Sequence, residues 1–338
     1  MKKIVTNFAI LNILLSICIN GCLTVETSHE KNHPHELSII NSNIKLLWSV
    51  DEVYTIQNDF VPAISAGYGI VCIMGDTTSA LENSVICLDG FSGKEKWHVP
   101  FGDAITSEID QDGVYIAFGR SPGVEKFDHQ GTLLWSKSVN GAGLIHFYLF
   151  NQQVQLDLYP ERFIILDSAN GDVIEDVKNV KSVFKTSKEL FDMSTSITSK
   201  NPETGDVYWS FELDKIIYQE PLFTDKTVYL KAEKTIGAIL AVDRQTGDLK
   251  WKTEREVISN VVFIPYLNQL IGLLDDGILV FMNDLDGRQE MIAEFNTPPF
   301  FLNGEMIVGG YEIAYDAMNK ILFVLLGDSR QLFAFRLP

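Results

Sequence analysis

The cysteines carry the most reactive side chains in this sequence, and there are four of them. Cys18 and Cys22 lie near the N-terminus, whereas Cys72 and Cys87 lie in the body of the chain. Because no Cys-x-x-Cys pair occurs, the sequence argues against zinc-ribbon and thioredoxin-type sites. Cys72 and Cys87 fall in neighbouring apolar segments, where the pattern allows either a cross-strand disulfide or two small buried side chains.

Three of the six histidines form a second group, close to the N-terminus. His29, His33 and His35 could ligate zinc or copper, since imidazole nitrogen is a common metal ligand. A metal site needs ligands in a defined geometry, however, and the residues around this group are polar and show no periodicity. We therefore interpret the group as part of a polar linker and predict no metal site.

The sequence contains none of the motifs that mark a serine hydrolase, a zinc protease or a P-loop protein. Lys and Arg number 27 against 45 Asp and Glu, which gives a formal net charge of −18. So acidic a chain repels phosphate backbones, and we predict no nucleic-acid partner. Hydrophobic residues make up 46% of the chain, which is enough to bury a core.

The N-terminal residues have the pattern of an export signal. Lys2 and Lys3 precede an apolar run over residues 4–19, which is shorter than the ~20 residues that span a bilayer. The sequence that follows, Ile-Asn-Gly-Cys ending at Cys22, resembles the lipobox of bacterial lipoproteins. In those proteins the cysteine thiol carries a diacylglycerol and anchors the chain to a membrane.

We predict a lipoprotein signal peptide over residues 1–21, acylation at Cys22 and a flexible tether over residues 22–43. The alternative is an ordinary signal peptide in which Cys22 has no role.

One short pattern recurs through the rest of the chain: an apolar strand that ends in Asp or Asn, a turn that contains Gly, and then Trp. The clearest copy, VDRQTGDLKW, runs from Val242 to Trp251. The Asp can accept hydrogen bonds from the turn, and the Gly can adopt the left-handed conformation that closes a hairpin. The residues that we assign to this structural repeat are Asp89, Gly93, Trp97, Trp135, Gly205, Trp209, Asp243, Gly247 and Trp251.

The turn occurs six times, with glycines 34 to 42 residues apart, and two copies have another residue in place of Trp, namely Glu175 and Met291. A Trp at this position can bury its ring against the neighbouring repeat. Closely spaced strand signals without a convincing helix indicate an all-β fold, and about four strands per forty residues is typical of a propeller blade.

The pattern resembles the pyrroloquinoline-quinone-like (PQQ-like) propeller repeat, whose consensus is approximately ALDAxTGxxxW. The segment from Ala241 to Trp251 matches it closely, and the resemblance covers residues 44–338. It implies a β-propeller of four-stranded blades, and we count seven. Six turns account for six blades, the residues from Ile321 to Leu337 supply the last, and those from Lys45 to Trp48 supply its outer strand and close the ring.

Quinoprotein dehydrogenases resemble this repeat and carry an adjacent cysteine pair, a calcium site and a catalytic Asp in the central funnel. The present chain has no adjacent cysteines, and its repeat aspartates lie in turns. We therefore predict no catalytic residues, no cofactor and no enzyme activity.

The lipobox, the tether and the propeller together resemble the BamB-type lipoproteins of outer-membrane assembly, although those have eight blades. This resemblance implies a monomeric, non-catalytic scaffold that binds another protein at the cell envelope. The lipid would hold it on the periplasmic face of an outer membrane, or on the outer face of a single cell membrane. The alternatives are an exported quinoprotein-type enzyme and a propeller that binds a sugar or a peptide in its central funnel.

Overall fold

The fold was derived from a computed structural model. It describes residues 37–51, 54–55, 64–76, 83–100, 104–119, 121–179, 183–193, 196–213, 221–231, 237–295, 301–302, 305–306, 311–326 and 331–338.

These residues form β-strands joined by turns and loops. The strands before the first complete blade are β1 (Leu37–Ile39), β2 (Lys45–Val50) and β3 (Tyr54–Thr55). Blades one to three contain β4 (Ile64–Gly67), β5 (Ile70–Asp76), β6 (Asn83–Asp89), β7 (Glu95–Pro100), β8 (Ala104–Asp110), β9 (Gly113–Phe118), β10 (Gly123–Phe127), β11 (Leu133–Ser138), β12 (Gly143–Phe150), β13 (Gln153–Tyr159), β14 (Arg162–Asp167) and β15 (Val173–Lys178). Blades four to six contain β16 (Val183–Lys185), β17 (Leu190–Met193), β18 (Ser196–Lys200), β19 (Val207–Glu212), β20 (Leu222–Phe223), β21 (Thr227–Lys231), β22 (Ile239–Asp243), β23 (Leu249–Lys252), β24 (Val262–Ile264), β25 (Gln269–Leu273), β26 (Ile278–Asn283) and β27 (Gln289–Phe295). The remaining strands are β28 (Phe301–Leu302), β29 (Glu305–Met306), β30 (Glu312–Asp316), β31 (Ile321–Leu326) and β32 (Gln331–Arg336).

The strands build seven antiparallel blades, and in blades one to six the strands follow in sequence order from the inside of the ring to the outside. Blades one to six are the consecutive groups of four from β4 to β27, and β28 and β29 form a separate hairpin before blade seven. The all-β, seven-bladed propeller predicted from the repeat is therefore confirmed.

The two ends of the propeller meet in blade seven, whose order from the outside is β2, β32, β31, β30. Lys45 pairs with Arg336, and Val50 pairs with Leu332, so an N-terminal strand is hydrogen-bonded to the last strand of the chain. The innermost strands of blades seven and one, β30 and β4, also lie against each other. Ring closure by the segment that contains Trp48 is confirmed.

The propeller begins earlier than residue 44. Strand β1 pairs antiparallel with the outer edge of β27, with Leu37 opposite Phe295, and it adds a fifth strand to blade six. Ile40 and Asn41 N–H groups then both donate to the carbonyl oxygen of Ile292. The sequence places residues 37–43 in the tether because β1 is too short to show a pattern. Its three residues, one of them polar, give no measurable alternation of apolar and polar positions.

The hydrophobic core is divided among the joints between neighbouring blades. At the joint that closes the ring, Val71 and Ile73 of blade one pack with Phe323 and Leu325 of blade seven. The middle strands are buried on both faces and are therefore rich in apolar residues, as in β31, which is apolar and buried at all of its positions. Outer strands such as β11 instead alternate between exposed and half-buried positions, because one of their faces meets water. No membrane-spanning helix is present in the part of the chain that the structure describes.

Candidate functional site

The turn between the third and outer strands recurs on one face of the ring, which we call the turn face. In blade five, Asp243 Oδ1 accepts hydrogen bonds from the N–H groups of Gln245 (2.9 Å) and Thr246 (3.0 Å). The Gly247 N–H donates to the Asp243 carbonyl oxygen at 2.9 Å. Gly247 has a φ of 78°, a left-handed conformation that other residue types adopt at a cost. The repeat thus uses its Asp and Gly to form the turn.

Other turn aspartates have the same role. Asp89 Oδ1 accepts from the N–H and the hydroxyl of Ser92 at 2.9 and 2.8 Å. Burial alone would raise the pKa of Asp89, but these hydrogen bonds and one from Phe91 outweigh it and lower the pKa. For Asp128, the hydrogen bond from the Thr132 N–H is the main reason that its pKa is lowered. Both carboxylates are stabilised as anions by the turns that contain them.

Each repeat tryptophan joins its own blade to the turn of the next one. The indole Nε1–H of Trp251 donates to the carbonyl oxygen of Asp284 at 2.7 Å. Its ring lies on Gly287, where an added Cβ would be 2.8 Å from a ring atom. Four other tryptophans make the same two contacts. Their rings lie on a turn glycine of the next blade: Trp48 on Gly93, Trp97 on Gly131, Trp135 on Gly171 and Trp209 on Gly247. Their indole N–H groups donate to the carbonyl oxygens of Gly90, His129, Ser168 and Arg244, respectively. We call this arrangement a tryptophan joint.

Two places in the ring lack a tryptophan joint. Between blades six and seven, Met291 replaces the Trp, and blade seven has no third-to-outer turn because the chain begins and ends there. The segment from β1 to β2 bridges these two blades instead, and Ile44 within it packs into the core of that joint with 3% exposure. The N-terminal segment therefore stabilises the joint that no tryptophan covers.

Between blades three and four, Glu175 occupies the Trp position of β15. Its carboxylate binds the Nζ of Lys185 on β16 through both oxygens, at 2.7 and 2.6 Å. Over the turn of blade four, none of the described heavy atoms would lie within 4 Å of a Cβ added to Gly205. We call this place the open joint.

Exposed apolar pairs lie on the outer strands immediately before the Trp position. The most exposed pairs occur in three consecutive blades, where each side chain is between 47% and 57% exposed, whereas the pair of blade seven, Leu46 and Leu47, is 40% and 37% exposed. The three more exposed pairs are Leu133 and Leu134, Val173 and Ile174, and Val207 and Tyr208. We call these six residues the apolar rim. The equivalent residues of blade one, Glu95 and Lys96, are charged. The rim flanks the open joint on both sides.

A buried polar cluster connects blades five and six beneath the turn face. Asp284, which is 4% exposed, accepts hydrogen bonds at Oδ1 from the hydroxyls of Thr227 (2.9 Å) and Tyr229. Lys250 Nζ lies 3.4 Å from the same oxygen, and Asn268 Nδ2 donates to Oδ2 at 3.4 Å. Burial alone would raise the pKa of Asp284, but the donors from Tyr229, Thr227 and Lys250 together lower it. Asp284 is thus held as an anion.

We expect Asp284→Ala to lower the free energy of unfolding by roughly 1–3 kcal/mol, because it leaves two buried hydroxyls without their acceptor. Asp286→Ala, in the exposed part of the same turn, should change it by less than about 0.5 kcal/mol.

Since the pKa of Asp284 is lowered in the folded state, its charge stabilises the fold above the ordinary pKa and ceases to do so as the pH falls through the folded value. Urea denaturation of the wild type and Asp284→Asn should therefore show a smaller acid-induced loss of stability for the variant below about pH 4. Parallel losses in both proteins would contradict this role.

Cys72 and Cys87 form a disulfide between β5 and β6, where they are directly opposite each other and fully buried. The bond closes a loop of sequence separation 15, and a loop of that size corresponds to about 3 kcal/mol of stabilisation in the chain-entropy treatment. Cys87 stands opposite Trp97, just as Ala241 stands opposite Trp251, so it occupies the small-residue position of the repeat. Of the two alternatives that the sequence allowed, the structure shows the disulfide.

Two ionisable groups have pKa values that the protein shifts towards neutrality. Burial raises the pKa of Glu108, on the innermost strand of blade two, to about 7. Burial also lowers the pKa of Lys231, on blade five, to about 7, and its Nζ donates to the Ser259 carbonyl oxygen at 3.0 Å.

The donor set does not fit a quinone–calcium centre. Within the described ranges, no three His, Cys, Asp or Glu side chains are grouped so that they could hold a metal ion. The sequence also lacks the adjacent cysteines of the dehydrogenases. Cys22, the signal peptide and the three N-terminal histidines lie outside the described residues.

Comparisons with known proteins support the fold. The family model described as outer membrane protein assembly factor BamB, PQQ_2, matches residues 181–300. The crystal structure of BamB from Moraxella catarrhalis is 16% identical, with a TM-score of 0.50, over 87% of this chain and 99% of that one. The Pan2 WD40 domain of Neurospora crassa is 12% identical, with a TM-score of 0.64, over 90% and 98%. The WD40 β-propeller of Doa1 is 11% identical, with a TM-score of 0.60, over 87% and 97%.

No curated protein sequence matches the chain. The repeat turns, the tryptophan joints and the seven-bladed ring agree with the family match over blades four to six and with the structural match over most of the chain. The chain is a seven-bladed β-propeller whose repeats are similar to the PQQ-like repeat and whose fold is similar to that of BamB.

Proposed function

We propose that this protein is a non-catalytic scaffold, held at the cell envelope by a lipid on Cys22, that binds another protein through its apolar rim. The observation that carries the proposal is the apolar rim itself. Six apolar side chains, each about half exposed, occupy equivalent positions in three consecutive blades. Exposed apolar surface that recurs in one region and is bordered by polar residues is typical of protein-binding sites.

Three further observations support a position outside the cytoplasm. The lipobox resemblance predicts export and a lipid at Cys22. The buried Cys72–Cys87 disulfide is a bond that forms and persists in oxidising compartments. The family model that matches the chain is described as an outer-membrane protein assembly factor.

Photo-crosslinking in intact cells tests the proposal. We would place a benzophenone amino acid at Leu134, Ile174 or Tyr208 on the rim, and at Lys96 or Glu290 as matched exposed positions on other blades. We expect one envelope protein to be crosslinked from all three rim positions, with several-fold lower yield from the two controls. Equal yields from rim and control positions, or no crosslinked protein, would overturn the proposal.

A further inference from the structure

We infer that the open joint between blades three and four is a receptor for a tryptophan side chain of the partner protein. This inference rests on the proposed function and specifies how the rim would recognise its partner. It starts from the repetition within the ring, because the same local surface occurs six times and is covered by an indole five times.

The five tryptophan joints show what this surface accepts. In each, an indole ring lies on the turn glycine, and its N–H donates to the carbonyl oxygen of the residue that follows the first turn residue, at 2.7 to 3.3 Å. In blade four the turn has the same construction. Gly205 has a φ of 76°, and its N–H donates to the Asn201 carbonyl oxygen at 2.9 Å. The equivalent acceptor is the carbonyl oxygen of Pro202.

The side chain that replaces tryptophan does not cover this surface. Glu175 is held by Lys185, and a Cβ added to Gly205 would meet no described heavy atom within 4 Å. The other joint without tryptophan is different, since the N-terminal segment from β1 to β2 bridges it. The open joint is therefore the one third-to-outer turn in the described chain that carries the binding surface for an indole but no indole of its own.

The surroundings define the chemistry of the occupant. Ile174 and Tyr208, each 52% exposed, border the open joint and would pack beside an inserted ring. Glu203 and Asp206 lie in the turn itself, and the chain carries a formal net charge of −18. A tryptophan flanked by lysine or arginine meets both conditions, and tryptophan is one of the residue types that are enriched among the side chains contributing most to protein–protein binding.

Filling the joint from within the chain gives the first test. Glu175→Trp should raise the melting temperature of the full-length protein by roughly 1–2 °C, which is the shift that about 1 kcal/mol of added stability gives for a domain of about 300 residues. Met291→Trp is the matched control and should give no increase, because blade seven has no turn glycine to receive the ring. An increase in both variants, or in neither, would contradict the equivalence of the open joint with the other five.

A second blocking variant covers the case in which Glu175→Trp does not fold. Asn tolerates the left-handed conformation better than most residues, so Gly205→Asn should fold while placing a side chain over the open joint. Gly247→Asn should be clearly destabilised, because its Cβ would lie 2.8 Å from Trp209.

Binding is tested with a capped Lys-Trp-Lys tripeptide added to the full-length, isotope-labelled protein in detergent micelles, followed by amide NMR. We expect saturable shifts at Gly205 and Tyr208 for the wild type, no such shifts with Lys-Ala-Lys, and loss of the shifts in Glu175→Trp or Gly205→Asn. The same two variants should lose crosslinking from Tyr208 in cells. If rim crosslinks persist at full yield in both variants, the inference is wrong but the proposed function stands. If the wild-type protein gives no rim crosslinks, the proposed function itself is wrong.

Discussion

Removal of residues 44–50 from the full-length chain is expected to abolish cooperative folding, because β2 is the outer strand of blade seven and carries the tryptophan joint to blade one. Trp48 donates its Nε1–H to the Gly90 carbonyl oxygen at 3.0 Å, and its ring lies on Gly93 and 5.9 Å from the Phe323 ring. Trp48→Ala alone should lower the free energy of unfolding by about 3 kcal/mol, the lower end of the range for truncating a large aromatic side chain, since the indole is partly exposed.

Urea denaturation monitored by circular dichroism measures both changes. Leu47→Ala is the matched control on the same strand, because Leu47 is 37% exposed, and it should change stability by no more than about 0.5 kcal/mol. A deletion variant that unfolds at the wild-type urea concentration would show that β2 does not close the ring.

Cys22→Ser is expected to remove the protein from the membrane fraction completely, or to leave it as an unprocessed precursor. A serine hydroxyl cannot carry the thioether-linked lipid, and without two or more acyl chains nothing in the predicted anchor holds the chain at a bilayer. Cell fractionation and labelling with a palmitate analogue measure the change.

Cys18→Ser is the matched control, since Cys18 also lies at the end of the apolar run but follows the bulky Ile17. It should be labelled and fractionate as the wild type does. A Cys22→Ser protein that is cleaved normally and stays with membranes would contradict the assignment of the anchor.

The repeat made the fold predictable because the turn Asp and Gly and the following Trp are local features with a fixed spacing. Ring closure was also predictable, since the segment with Trp48 has the pattern of an outer strand that is separated from its own blade. Strand β1 was not predictable from the sequence, because a strand of three residues is defined by the edge of β27 with which it pairs rather than by its own pattern.

The open joint could be recognised only in the structure. The sequence shows that Glu175 departs from the repeat, but it does not show which glycine each tryptophan covers. The structure shows that the indole of one blade covers the turn of the next, so that Glu175 leaves Gly205 uncovered rather than Gly171. The sequence does not decide between a disulfide and two free cysteines for a similar reason. The strand register that places Cys72 opposite Cys87 depends on the whole blade.

The pairing of Lys45 with Arg336 also constrains the order of events during folding. The closing strand β2 is made well before its partner β32, because the other six blades lie between them in the sequence. Contacts between residues so far apart in sequence form slowly, because a long stretch of chain must first be ordered between them. A growing chain can therefore assemble early blades but cannot complete the ring until β32 has been made.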